Sequence, residues 1–415
     1  MTATFARGAC PRLSAPMETG DGLLARIVPA GPMAVDALAA LCAAARTHGN
    51  GLMEVSARGS LQVRGLTPVS APLFAASVEA LAIDMCEGVP VLTSPLPDDP
   101  VALIDAQATA AKIRGVIAAR DLTLAPKVSV SVDAGGQIPL DGIAADIRLR
   151  AIARDGTTRL HVSLGGDAIS AVPLGLAAPQ DAARIVCALL GVIAAYGPEM
   201  RAAHVLARDG LGPFRAAISD YLEPASYDPM RRSAETIGLH RLEDGRCAIG
   251  VALPFGQAQG LDLIALLRIA RANGAIWAAT APQRTLLLGP VGEMTAFALS
   301  TAADTLGFIV DARDARRRVV ACAGAPACAS GLIPSRVLAA AIANRLPQGG
   351  MAVHVSGCAK GCANPVAAPL TIVGTALGCG LVRNGSARGE PGSYFTEEQV
   401  VAEAVRLASR ESADA

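Results

Sequence analysis

An order of elements that occurs twice constrains this chain most. After the turn Gly20-Asp21-Gly22, an apolar run over 23–28 reads as a strand and is followed by a break containing Pro and Gly. A helix pattern covers 34–46 and ends at His48-Gly49-Asn50-Gly51; alternating strands follow at 52–55 and 61–65. The same order returns 223 residues later. Asp244-Gly245 matches Asp21-Gly22, 247–253 matches the first strand, and Pro254-Phe255-Gly256 matches its break. A helix over 261–271 follows, Asn273-Gly274 matches Asn50-Gly51, and Gly289 matches Gly65 after a one-residue slip. Fixed register over four landmarks predicts two related halves.

Each half then continues into an α/β segment. In the first, strands are predicted at 127–132 and 160–164, with helices at 101–118 and 179–196. In the second, strands are predicted at 318–322, 351–356 and 370–373, with a helix at 334–345. Residues 209–232 form the expected crossing, and the polar tail from 384 ends in a short helix, 397–409. The expected units are therefore 1–75, 76–232, 233–300, 301–385 and a tail, 386–415. A chain of 415 residues is too long for one core and accommodates such a division.

Composition removes some functions. Aromatics at 3% argue against a base-stacking surface, and equal totals of 36 basic and 36 acidic residues leave no global field to draw in nucleic acid. No apolar h-region is read in 1–15 and no run nears 18 apolar residues, so neither a secretory leader nor a membrane span is expected. Ten cysteines in such a chain point to a reducing compartment, the cytoplasm, where thiols more often bind metals than form disulfides.

Four cysteines fall within 41 residues, Cys322 and Cys328 five residues apart in the intervening count, Cys358 and Cys362 three. Both pairs follow predicted strands and sit among Gly, Ala and Pro, small neighbours that let a backbone wrap closely around a cubane. A zinc ribbon prefers two Cys-x-x-Cys hooks, which neither pair provides. A 4Fe-4S cluster is the expectation. Cys10, Cys42, Cys86, Cys187, Cys247 and Cys379 read as ordinary thiols.

The cysteine spacing, with Ser356-Gly357 before Cys358, resembles the cluster motif of the sirohaem sulfite and nitrite reductase superfamily. The repeat is similar to its ferredoxin-like unit. The fold implied is α+β, a duplicated sulfite/nitrite-reductase-like architecture: two ferredoxin-like half-units plus two α/β units, related by a pseudo-two-fold. Arg7-Gly8-Ala9-Cys10-Pro11, Pro16-Met17, the run Thr19–Leu24, Thr93-Ser94-Pro95-Leu96 and the run Ser356–Ala363 resemble one branch, the precorrin-3B synthases of aerobic cobalamin synthesis. That branch implies a monooxygenase acting on precorrin-3A with dioxygen: carbon 20 of the macrocycle is hydroxylated and a γ-lactone closes from the ring A acetate. It also implies a further non-haem iron, whose ligands the sequence does not assign. Bound sirohaem belongs to the alternative, an assimilatory sulfite or nitrite reductase. A non-catalytic electron-transfer or tetrapyrrole-carrying protein is a third reading.

The resemblance also nominates residues. Arg58 stands where the reductases carry a substrate-binding arginine, and Lys127 where they carry a lysine. Their second lysine is replaced by Ser129, and Val89-Pro90-Val91 replaces an Arg-Asn-Val run. A site lacking two of four cations suits sulfite poorly but can hold a tetrapyrrole carboxylate. Arg26, Arg58, Arg64 and Lys127 are the expected carboxylate partners, with Lys360 inside the cluster loop. No catalytic residue is assigned. Five histidines (48, 161, 204, 240, 354) show no facial-triad spacing, although His161 and His354 are expected on matching strands, and Cys10 is a weak iron candidate. No Gly-x-Gly-x-x-Gly nucleotide fingerprint is read, so electrons should arrive from an external donor or reductase.

Overall fold

The computed structural model describes residues 11–86, 88–223, 234–347 and 349–410. Cys10 and the rest of the run from Arg7, except Pro11, therefore lie outside the described residues, as does part of the expected crossing at 209–232. The first half runs β1 (Met17–Thr19), β2 (Gly22–Ile27), β3 (Met33–Ala34), α1 (Val35–His48), β4 (Leu52–Val55), β5 (Leu61–Leu66) and α2 (Ser70–Glu79). Its α/β unit follows: β6 (Val91–Thr93), α3 (Ala106–Ala118), β7 (Val130–Asp133), β8 (Ala145–Arg154), β9 (Thr157–Gly166), β10 (Val172–Ala177), α4 (Ala182–Ala195), α5 (Ala202–Asp209) and α6 (Gly212–Ala217). The second half repeats the scheme: β11 (Gly238–Arg241), β12 (Cys247–Ala252), β13 (Gln257–Gln259), α7 (Gly260–Ala272), β14 (Trp277–Ala281), β15 (Thr285–Val291) and α8 (Glu293–Thr305). It closes with β16 (Val319–Ala321), α9 (Ser335–Ala343), β17 (Val353–Ser356), β18 (Ala368–Thr375), β19 (Gly378–Gly385), β20 (Ser393–Phe395) and α10 (Glu397–Arg410).

Four five-stranded sheets result, in the orders β1-β2-β5-β4-β13, β10-β9-β8-β7-β6, β11-β12-β15-β14-β3 and β16-β17-β18-β19-β20. The two ferredoxin-like sheets exchange an edge strand. β13 of the second half pairs with β4, and β3 of the first half pairs with β14. The exchange covers both exposed edges. Helices α1 and α7 lie against each other between these sheets, and one apolar core draws on both, from Leu38 and Leu41 to Leu266 and Leu267. Gly65 and Gly289 lie where the registers of β2–β5 and β12–β15 slip, so the matched glycines mark equivalent bulges.

The α/β units match as well. In each, three parallel strands (β6, β7, β8; β16, β17, β18) are followed by two antiparallel ones. Helices α3 and α9 make the corresponding crossovers, and α4 and α10 close the units. This equivalence corrects one expectation. His354 lies in β17, whose counterpart is β7, whereas His161 lies in β9. The two histidines are not on matching strands.

Several bounds shift for local reasons. The strand expected from Lys127 begins at Val130, because Pro126 lacks an N–H and residues 125–128 close a turn through Val128 N–H to Ala125 O (3.0 Å). The helix expected from Val101 begins at Ala106, where Asp105 caps Ala108 N–H at 2.9 Å. The segment from 386 is not a separate tail: β20 extends the fourth sheet, and α10 buries Val400, Val401, Ala404 and Ala408 in its core. No helix among the described residues is long and apolar enough to cross a membrane.

Candidate cluster and substrate site

Two loops leave the C-terminal ends of the parallel strands β16 and β17, the usual place for a site in an open α/β sheet. Cys322 and Cys328 lie on the first, Cys358 and Cys362 on the second. The backbone ties them together. Gly357 N–H donates to Cys322 Sγ at 3.1 Å, and Leu332 N–H donates to Gly357 O at 2.8 Å. Ser356 Oγ donates to Cys358 O at 2.7 Å. All four cysteines line one cavity of about 630 Å³, whose far wall is the face of the first ferredoxin-like sheet: Leu24, Glu54, Gln62 and Arg64.

Glycines set how closely the walls meet. Gly20, in the β1–β2 turn, accepts a hydrogen bond on its carbonyl from Ala329 N–H at 2.7 Å, and a Cβ on it would lie 2.2 Å from Cys328 Sγ. A Cβ on Gly324, where φ is +63°, would lie 2.5 Å from Ser335 N. The turn read as a repeat landmark is thus also a wall of the site.

This donor set fits a cubane better than one ion. Among the described residues no three His, Cys, Asp or Glu side chains come together as ligands of a single metal. Four thiols instead surround a cavity, as a cluster with one ligand per corner requires. Burial and the neighbouring sulfurs of Cys322, Cys358 and Cys328 push the Cys362 thiol up, against the pull of Arg64. Four thiolates here need a positive centre between them.

The five basic candidates do not share one wall. Arg64 and Lys360 line the cysteine cavity. The fork of Arg64 is taken by Asp21, with Nε and Nη2 both at 2.8 Å, and Nη1 lies 3.6 Å from Glu54. It is a fixed charge beside the cysteines rather than a clamp open to a substrate carboxylate. Lys360 Nζ reaches Ser330 Oγ at 2.8 Å. Arg26 faces Gln62 across the β2–β5 pair. Arg58 is in a neighbouring narrow recess with Thr93 and Gln107, and donates to Ser129 Oγ at 2.9 Å. Lys127 is exposed in the turn before β7.

Sequence reasoning missed Glu18, Glu54 and Gln257 in the cavity wall. Gln257 reaches it on the exchanged strand β13 and donates to Glu54 Oε2 at 3.1 Å, a contact across 203 positions. The matching strand β3 was the available signal. The histidines lie apart. His48 meets Ser77 (3.2 Å), His240 meets Thr236 O (3.1 Å), His204 is exposed on α5 and His161 is buried in β9. His354 is buried with neither ring nitrogen hydrogen-bonded to a described residue.

Comparison with known proteins agrees with this geometry. Residues 15–81 match the description "Nitrite/Sulfite reductase ferredoxin-like half domain". The chain is 36% identical over 414 residues to a protein of Sinorhizobium sp named precorrin-3B synthase, covering 98% of this chain and 89% of that one. It is 25% identical over 181 residues to "Sulfite reductase [ferredoxin] 2" of Mycolicibacterium paratuberculosis, covering 40% of this chain and 33% of that protein. The solved structure of the Mycobacterium tuberculosis NirA protein superposes with a TM-score of 0.71 over 92% of this chain and 79% of that one, at 17% identity, which speaks to fold alone.

Proposed function

The chain belongs to the precorrin-3B synthase family, within the sulfite/nitrite reductase superfamily, and from that premise we propose that it holds a 4Fe-4S cluster on Cys322, Cys328, Cys358 and Cys362 and oxygenates precorrin-3A beside it. The observation that carries the cluster is the convergence of four cysteines from two loops on one cavity faced by the first ferredoxin-like sheet. When bound, the cluster supplies single electrons from an external donor. The reaction consumes dioxygen, two electrons and two protons, puts one oxygen atom on carbon 20 and releases the other as water.

The chain's own residues bind and orient. A precorrin carries many carboxylates, and Lys360 in the cavity wall, Arg58 in the neighbouring recess, Arg26 on β2 and the exposed Lys127 are the cations proposed to meet them. Arg64 is assigned to charge compensation of the cysteine site, because Asp21 already occupies its fork. Glu54, Gln62 and Gln257 give the macrocycle a polar wall. Holding the ring A acetate against the reacting carbon makes lactone closure intramolecular. The proposed partners are precorrin-3A, dioxygen and the electron donor. The ligands of the further iron are not assigned.

One observation favours synthase over reductase. The position of the reductases' second lysine holds Ser129, whose hydroxyl is engaged by Arg58. Anaerobic purification with iron, sulfide and extracted tetrapyrrole analysis tests the reading. About four iron and four sulfide with no sirohaem, or one further iron, agrees with it; stoichiometric sirohaem contradicts it.

A further inference from the structure

A second cavity, of about 670 Å³, lies where the segment before β16 meets the β14–β15 turn. Its size is that of a small-molecule site. Its wall is strongly basic: Arg284, Arg313, Arg316, Arg317 and Arg318 all line it. Four of the five are held by the protein itself. Arg313 pairs with Asp311 (3.1 Å) and Arg316 with Asp314 (2.6 Å). Arg317 binds Glu235 at 2.7 Å and Gln283 Oε1 at 2.7 Å, and Arg318 donates to Gly350 O at 2.8 Å. Five guanidinium groups thus stand against three carboxylates.

Arg284 is the exception. Its side chain is partly buried over Gly256 and makes no hydrogen bond or salt bridge to a described residue. Burial lowers its pKa, with only Glu54 nearby to oppose the effect. Arginine seldom stays buried in this way without a partner. The backbone that presents it is also unusual. Phe255, Gln283 and Arg284, all in the cavity wall, have φ of +57°, +61° and +64° without being glycine. Such outliers persist where the surroundings enforce them, often at ligand sites.

We propose that this cavity is a second binding site, separate from the cysteine cavity, for a small molecule carrying an oxyanion, carboxylate or phosphate, gripped by the Arg284 guanidinium. The four tied arginines supply a fixed positive field, and the planar fork of Arg284 supplies the direct contact. This site does not depend on which reaction occurs at the cysteines.

The test is calorimetric titration of the purified, cluster-loaded protein at low ionic strength with pyrophosphate and, separately, with citrate. Saturable binding of either probe is expected; preference for pyrophosphate points to a phosphorylated ligand, preference for citrate to a polycarboxylate. Arg284→Gln should weaken binding about tenfold or more, the loss expected for a charged hydrogen-bonded contact. Gly142→Trp provides a second route, because Gly142 lines the cavity and a Cβ there meets nothing within 4 Å. Filling the cavity should abolish binding even if Arg284→Gln fails to fold. No saturable binding of either probe, or binding that survives Gly142→Trp, would overturn the proposal.

Discussion

Gly20 shows how one residue can serve both fold and site. It turns the β1–β2 hairpin, and its missing side chain leaves room for Cys328 Sγ. Gly20→Ala should therefore keep the fold and displace Cys328. We expect loss of most bound iron and sulfide with an unchanged far-ultraviolet circular dichroism spectrum; full iron retention would show that Cys328 is not held there. His354 gives a second test. Burial, helped by Arg284, lowers its pKa from 6.5 to about 4. The unfolded chain then binds a proton that the folded chain refuses, so this contribution is complete above about 6.5 and is lost as pH falls toward 4. At ~1.4 kcal/mol per unit the full loss is roughly 3 kcal/mol. His354→Leu should flatten the fall in urea midpoint between pH 7 and 5. Equal slopes in the two proteins would contradict the assignment. The cysteines were legible as residues because their spacing is local. Glu54 and Gln257 were not, because their contact is made only by a strand from the other half.

At the scale of elements, legibility followed pattern. The apolar runs at β2, β12 and β17 and the helices α1, α7 and α9 stood close to where they were read. β8 was missed because Asp146, Arg148 and Arg150 interrupt its apolar residues, although all three are buried. Asp146 is offset there by Arg201, at 2.6 Å, and by the N–H groups of Ser129 and Ala202. Such a charge reads as exposed until its partner, 55 residues away, is known. The helix α10 was read correctly, but its amphipathic face was taken for a tail. Val400 is fully buried there. At about 0.8 kcal/mol per buried CH₂ plus the cavity left behind, Val400→Ala should destabilise the protein by roughly 2 kcal/mol. A denaturant midpoint shift indistinguishable from zero would mean that α10 is not part of the fourth core.

At the scale of the whole molecule, duplication builds two equivalent places for a site and only one carries the cysteines. Strand registers match Ser94 to Cys322 and Ala134 to Gly357. The same bond recurs in both: Ala134 N–H donates to Ser94 Oγ at 2.9 Å, as Gly357 N–H donates to Cys322 Sγ at 3.1 Å. Around the first-half counterpart, Leu96, Ile138, Ala248, Ala281 and Leu287 form an apolar plug where the second half has its cavity. The repeat of the ferredoxin-like units is legible in register landmarks, whereas that of the α/β units is implied only by the family resemblance, because their equivalence lies in strand order and hydrogen bonds. One of two matched positions thus carries the four cysteines, and it is the one proposed for the redox chemistry. The most direct test of that account is incubation of the anaerobically purified protein with precorrin-3A, a chemical reductant and ¹⁸O₂, followed by mass spectrometry of the product. The account predicts precorrin-3B carrying one ¹⁸O atom; unchanged precorrin-3A, or product without label, would contradict it.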